Sequence, residues 1–503
     1  MYRIAFAQPL ALTIVLITAL IFMGCDDSVV DPDPDPDPDV TVSASFTVDP
    51  DNPRSGDEVT LDGSGSTVQE ADELSFEWDL TTPDGSEAVI DNPNAEVTHF
   101  EADVGGIYDI TLEVSAEDAV DTATEEVDVL EVEELSDEIT EDRTLFSHVL
   151  YIVADEIEVD AHLTVEPGTR IQFERGASLE IQPDDGVLYA NGEEGEEIVF
   201  TGTAEETGYW NGILILSEDP ENVLDHSVIE YGGRVAMGAG IDEPASVLIG
   251  DSNTEAEASI SNTTLRYSGG HGLKLAMHSI TDTQRGRVDV FEENIITDNE
   301  EAPVRLTTEM IHMLDPGSTY AGNSDDYISV VGNDVEIADA TWNNLDAPYR
   351  VSGETDLEGD TRITIEAGTE LFFGPGAQFT IADDESGAVI EGEEGNEIVF
   401  TGTEEEPGHW NGIFITSDSP DNVIDHAVIE YAGRDALGAG DAEPANLTVG
   451  DANFVGSVMA DNSVFQNSGG HGIYVSENGD INEDICDVNS FADNADGDCL
   501  VDD

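Results

Sequence analysis

Positive charge is the scarcest property of this sequence. Its 503 residues carry 14 Lys and Arg against 113 Asp and Glu, a formal net charge of −99. That argues against a nucleic-acid partner, because phosphate binding needs a basic footprint. Cysteine is nearly as scarce. Cys25, Cys486 and Cys499 are the whole complement, too few for a disulfide-rich scaffold. Cys486 and Cys499 are also too few to hold a metal, and no histidine lies between them. In an oxidising compartment they could staple the last turn. After the first apolar run no stretch is long enough to span a membrane. Helix-period patterns are nearly absent. What remains is 39% hydrophobic residues, gathered in short strand-like runs. That fits a folded protein with an acidic skin better than a disordered chain.

The one long apolar run lies near the start, from about Ala11 to Met23. It reads as a targeting segment. Phe22-Met23-Gly24-Cys25 resembles the lipobox of exported lipoproteins, with Phe22 where leucine is usual. The resemblance implies a signal peptide over 1–24, a lipidated Cys25 and anchoring at the cell surface or outer membrane. The other reading is a plain transmembrane anchor with an incidental cysteine. Residues 25–40 include Asp-Pro repeats at 31–38, expected to be a stiff spacer. Acid on every segment, with almost no lysine, resembles proteins of extreme halophiles.

Residues 41–130 alternate as strands at 41–48, 58–64, 74–80 and 107–116, separated by Gly- and Asp-rich turns. This predicts a small antiparallel β-sandwich, with Phe76 and Trp78 on one inner face. Gly56, Asp62-Gly63-Ser64-Gly65-Ser66, Phe76-Glu77-Trp78 and Gly105-Gly106-Ile107-Tyr108 resemble a PKD-like, immunoglobulin-type module. Such modules are spacers or adhesive units. Residues 131–144 are expected to be an acidic connector.

From residue 145 the chain repeats at an offset of 200. EIVFTGTAEETGYWNGI at 197–213 returns as EIVFTGTEEEPGHWNGI at 397–413, and 30 of 43 positions agree between 191–233 and 391–433. No residue is gained or lost between them, so the spacing itself is structural. Apolar runs recur about every 20 to 30 residues, the pattern of stacked coils. Asn294, Asn299, Asn467 and Asn494 are candidates for asparagine ladders at the turns. LTVEPGT and ITIEAGT, the EIVFTG phrases, WNGI and VIEYGG/VIEYAG resemble right-handed parallel β-helix proteins of the pectate-lyase-like superfamily, in their surface-lipoprotein branch. The expected fold is therefore all-β: a right-handed parallel β-helix solenoid preceded by a small antiparallel β-sandwich. Copy one spans 145–345. Copy two spans 346–503 and is truncated.

Candidate chemistry is thin. Lyases of that superfamily use an arginine or lysine base near calcium-binding carboxylates. The basic candidates here include Arg234, Arg266, Lys274, Arg305 and Arg434, and no lyase motif matches residue by residue. Calcium suits an acidic surface, but no metal-ligand set can be named. Strand alternation sends Asp225 and His226, and Asp425 and His426, to opposite faces, which excludes direct acid–base pairs. His271 and His471 lie in SGGHG turns. Trp210 and Trp410 either pack over coil corners or contact glycans from a partly exposed position. The expected role is a lipid-anchored surface protein, non-catalytic, engaged in adhesion, glycan contact or envelope structure. Its expected partners are the membrane, through the anchor, and a polysaccharide or surface protein. The alternative is an extracellular polysaccharide lyase or hydrolase.

Overall fold

A computed structural model describes residues 40–502, apart from 72, 279–283 and 383–384. The signal-like segment, Cys25 and the Asp-Pro repeat lie outside the described residues. The described chain is all-β, antiparallel first and then parallel.

Two three-stranded antiparallel sheets enclose the first core. One joins Thr47–Asp49, Glu58–Asp62 and Val97–Glu101; the other joins Ser75–Thr81, Gly106–Ala116 and Ala119–Val129. Period-two alternation turns Phe76, Trp78 and Leu80 toward Phe100, Tyr108 and Leu112. The Trp78 indole donates to Ala95 O at 2.8 Å and meets Phe46 edge-on.

The segment 131–144 departs from the connector expected there. Glu131–Leu135 pairs in parallel with Val149–Val153, and Arg143–Leu145 pairs with His162–Val165. Backbone ladders do not depend on side-chain charge, and Leu135 and Leu145 supply the inward apolar groups. The solenoid therefore starts almost as soon as the last strand of the antiparallel module ends.

From there every named strand pairs in parallel with a strand one coil away. Coils within each copy feed three sheets; at the junction the 3-10 helix Thr308–Met313 interrupts the pattern, and only one sheet runs through. Ile171, Phe200, Ile229, Leu265 and Ile296 stack in exact register through five coils, and all are buried. Each such side chain stabilises the fold by roughly 1.5–3 kcal/mol over its exposed state. Corners come from single left-handed residues. His226, Asn262 and Glu293 hold one corner in successive coils, with φ of 43°, 49° and 53°; Tyr231, Tyr267 and Asp298 hold the next, at 64°, 57° and 58°. Asn294, Asn299 and Asn494 bond backbone groups of the neighbouring coil, and Asn299 also donates to Asn323 Oδ1 at 2.8 Å. Asn467 instead takes a left-handed corner, at φ 53°.

The two copies do not stack in phase. Gly212–Ile215 belongs to the 13-stranded sheet that runs through both copies. Its equivalent, Gly412–Ile415, belongs to a separate 7-stranded sheet, and the 13-stranded sheet continues in copy two through Ile398–Gly402. Copy two is thus rotated by one face. At the far end a disulfide joins Cys486, in the short helix Ile485–Val488, to Cys499, in the strand Gly497–Val501.

Two predictions follow from this packing. Glu180 neighbours Glu158 in register. Burial first, then Glu156 and Glu158, push its carboxyl up to about 7. A raised carboxyl contributes stability below its unfolded range and loses it as pH rises through the folded value. Glu180→Gln should therefore melt higher than the parent at pH 8 and depend less on pH between 5 and 8; an equal or lower midpoint at pH 8 contradicts this. Second, Cys486→Ser should cost the last coil about 2–3 kcal/mol. Amide exchange in Gly497–Val501 should quicken, and unchanged protection there would count against the disulfide as the pin.

Candidate functional site

The repeated phrase builds a corner. Thr201, near the end of Ile198–Gly202, donates to Glu230 Oε1 at 2.9 Å. The Trp210 indole then donates to Glu230 O at 2.8 Å, and Trp410 does the same to Glu430 O. Both indoles are fully buried. Trp210 stacks on Phe173 with centroids 4.0 Å apart, and Trp410 on Phe373 at 4.4 Å. A glycan platform needs an open ring face, so the expected glycan-contact role of Trp210 and Trp410 is corrected. Their surface is spent on the core.

The Asp-His pairs are a second correction. His226 Nδ1 lies 3.1 Å from Asp225 Oδ2, and His426 Nδ1 lies 3.0 Å from Asp425 Oδ1. Alternation fails because each histidine occupies a left-handed corner, where the strand has already ended. Asp225 Oδ1 accepts Ser261 Oγ at 2.7 Å and Asn262 Nδ2 at 2.9 Å. Burial pushes the Asp225 carboxyl up, but the bonds from Asn262 and Ser261, with the His226 ring close beside it, outweigh that and hold it below the ordinary value. The aspartate ties one corner to the next. Arg434 comes within 3.8 Å of Asp435 on an exposed loop. Arg266 grips Glu230 with Nε at 2.9 Å and Nη2 at 2.7 Å; in copy two the neutral Gln466 does this for Glu430, at 2.7 Å.

One cluster gathers charge that does not repeat. Lys274 is the chain's sole lysine, and it is 3% exposed. Its ammonium donates to Glu243 Oε2 at 2.9 Å. Arg305 Nε pairs with the same carboxylate, while Arg305 Nη1 donates to Ser329 Oγ at 2.8 Å. His271 Nε2 stands 3.0 Å from Glu301 Oε2 and 3.7 Å from Glu243 Oε2. Strands His271–Leu275 and Val304–Thr307 supply Lys274 and Arg305, and the loop before Ala245–Ile249 supplies Glu243. His271, then Lys274 and Arg305, hold the Glu243 carboxyl at about 2 against its burial. Burial pushes the Lys274 ammonium down, partly offset by Glu243.

Chemically this is a cation pair set beside two carboxylates, with Lys274 buried and Glu243 and Glu301 about one-third exposed. Glu243 and Glu301 were not evident from sequence. Glu243, Lys274 and Arg305 are each 31 residues apart, one coil per step. The usable signal was a single lysine in so acidic a chain. Calcium finds no matching donor set: among the described residues no group of three or more His, Cys, Asp or Glu could hold a metal ion.

Compared with protein-family models, with curated proteins and with solved structures, the chain finds no match.

Because the Glu243 carboxyl is depressed, its contribution is complete above the ordinary carboxylate range and is lost as pH falls toward about 2. Glu243→Gln should lower stability by roughly 1.5–3 kcal/mol near neutral pH and leave it unchanged near pH 2. Urea unfolding at both pH values reads the difference; an equal loss at both would show the carboxylate charge to be idle.

Proposed function

We propose that this is a lipid-anchored, non-catalytic extracellular surface protein, in which an acidic solenoid serves as a rigid rod for contact with envelope polysaccharide or other surface proteins. The observation that carries the reading is what the two copies share. Trp210 and Trp410, the Asp-His pairs, and Glu230 and Glu430 all fasten corners or join coils. Duplication has multiplied a scaffold. The one-face rotation adds to this, since equivalent positions look in different directions.

The other parts fit the same picture. The lipobox-like Phe22-Met23-Gly24-Cys25 supplies a tether, and the Asp-Pro repeat a spacer. The antiparallel module, PKD-like in its Gly56, Asp62-Gly63-Ser64 and Gly105-Gly106 turns, stands between tether and rod. A charge of −99 suits a saline exterior, where salt screens self-repulsion.

Expressed in a bacterial host, the full chain should incorporate labelled palmitate and partition with membranes, and Cys25→Ser should abolish labelling and release the protein. A membrane-bound, unlabelled parent chain would overturn the tether. One observation favours a second reading, an extracellular polysaccharide lyase: Lys274 and Arg305 lie beside Glu243 and Glu301. Acidic polysaccharides incubated with the full chain in high salt should show no new unsaturated ends. A rise in their ultraviolet absorbance, abolished by Lys274→Met, would replace the main reading with the second.

A further inference from the structure

The solenoid begins on an edge. Glu131–Leu135 is the outermost strand of its seven-stranded sheet, and among the described residues no named strand lies beyond it. Backbone groups of alternate residues serve opposite neighbours in a parallel sheet. Those of Leu130 and Val132 turn to the free side, away from Val149–Val153. Such an edge is a template for another strand unless something covers it.

The antiparallel module covers it. The loop Pro53–Ser55 lies parallel to the start of the strand, with Arg54 bridged to Leu130. Leu130 N donates to Pro53 O at 3.1 Å, and Ser55 N donates to Leu130 O at 2.8 Å. These are the two bonds of one parallel ladder step. The Ser55 hydroxyl accepts the next free amide, Val132 N, at 3.0 Å. The loop does here what a preceding coil would do.

A second contact fixes the joint. Gly105 N donates to Glu131 Oε2 at 2.5 Å. A Cβ on Gly105 would stand 2.6 Å from Glu131 N, closer than a Cβ approaches backbone. Both contact points are braced from within the module. Gly56 N donates to Ala102 O at 2.6 Å, Ala102 N to Asp57 O at 2.9 Å, and the Tyr108 hydroxyl to Val104 O at 3.0 Å. The covalent link is equally tight. Only Leu130 separates Ala119–Val129 from Glu131–Leu135, and Val129 is buried in the core of the module, Leu135 in that of the solenoid.

We propose that the module is the N-terminal cap of the solenoid, with Pro53–Ser55 as the capping rung, and that it holds the rod at one fixed angle. A stack of repeats needs a terminal unit that closes it, and here a different fold supplies that unit. The module is therefore more than the spacer or adhesive unit that its resemblance implies. A free hinge needs a linker that few contacts cross, and this joint has none. The inference goes beyond the rod reading and does not rest on the tether, since the test uses the full chain with Cys25→Ser.

In hydrogen exchange the Val132 amide should be protected in that chain. Ser55→Ala removes its acceptor and should quicken its exchange about tenfold or more. Nitroxides at Thr122→Cys on the module and Glu174→Cys on the solenoid, both exposed positions, should give one narrow distance distribution in pulsed dipolar spectroscopy. Ser55→Ala combined with Gly105→Ala should broaden it. The single variant is the milder of the two and decides alone if the double variant does not fold. Unchanged Val132 exchange in Ser55→Ala, a broad distribution without either substitution, or a distribution unmoved in the folded double variant each overturns the proposal.

Discussion

A single coil of this chain cannot bury its own apolar residues, and the structure depends on that constraint. Ile171 is covered because Tyr151 and Phe200 lie in register one coil back and one coil on, and Phe200 because Ile171 and Ile229 do the same for it. The parallel hydrogen-bond ladder sets the register, and register sets which side chains meet. The ends are then the weak places, because the outermost ladders lack a partner. At one end Glu131–Leu135 leads directly from the antiparallel module into the first rung. At the other the Cys486–Cys499 bond ties helix to strand.

Three of the scarce cations stand where burial would otherwise leave a carboxylate alone. Glu230 and Glu243 are both partly or fully withdrawn from water, and Arg266, Lys274 and Arg305 attend them. Such pairs hold because the loss of either partner strands a charge. A few exposed acids also meet an arginine, as Glu206 meets Arg175 and Asp421 meets Arg362, but 14 Lys and Arg cannot attend 113 Asp and Glu. Their mutual repulsion reaches about 10 Å at 0.1 M salt and about 3 Å at 1 M, so the rod is calmest in brine.

The solenoid was legible in the sequence because its signals are local. EIVFTG ends a strand and WNGI turns the chain, and both phrases recur at a fixed offset. The errors arose where a side chain's surroundings come from another coil. Trp210 looks like a surface aromatic until Phe173, 37 residues earlier, is seen beneath it. The Asp225–His226 contact was excluded by strand alternation, which does not survive a corner at φ 43°. An acidic composition made 131–144 look like a connector, although Leu135 and Leu145 carried the inward pattern. Lys274 was visible as a residue, but not its partners, because a 31-residue step has meaning only once the length of a coil is known.

The rotation between copies has a consequence for growth by duplication. A repeat equal to a whole number of coils would line up every copy of a surface patch along one flank. Here the 200-residue unit returns one face further round. A third unit joined in the same way would complete the circuit, and equivalent patches would climb the rod as a spiral stair. A neighbour approaching from any side would then meet one, so reach in all directions would come from repetition alone, without a new fold.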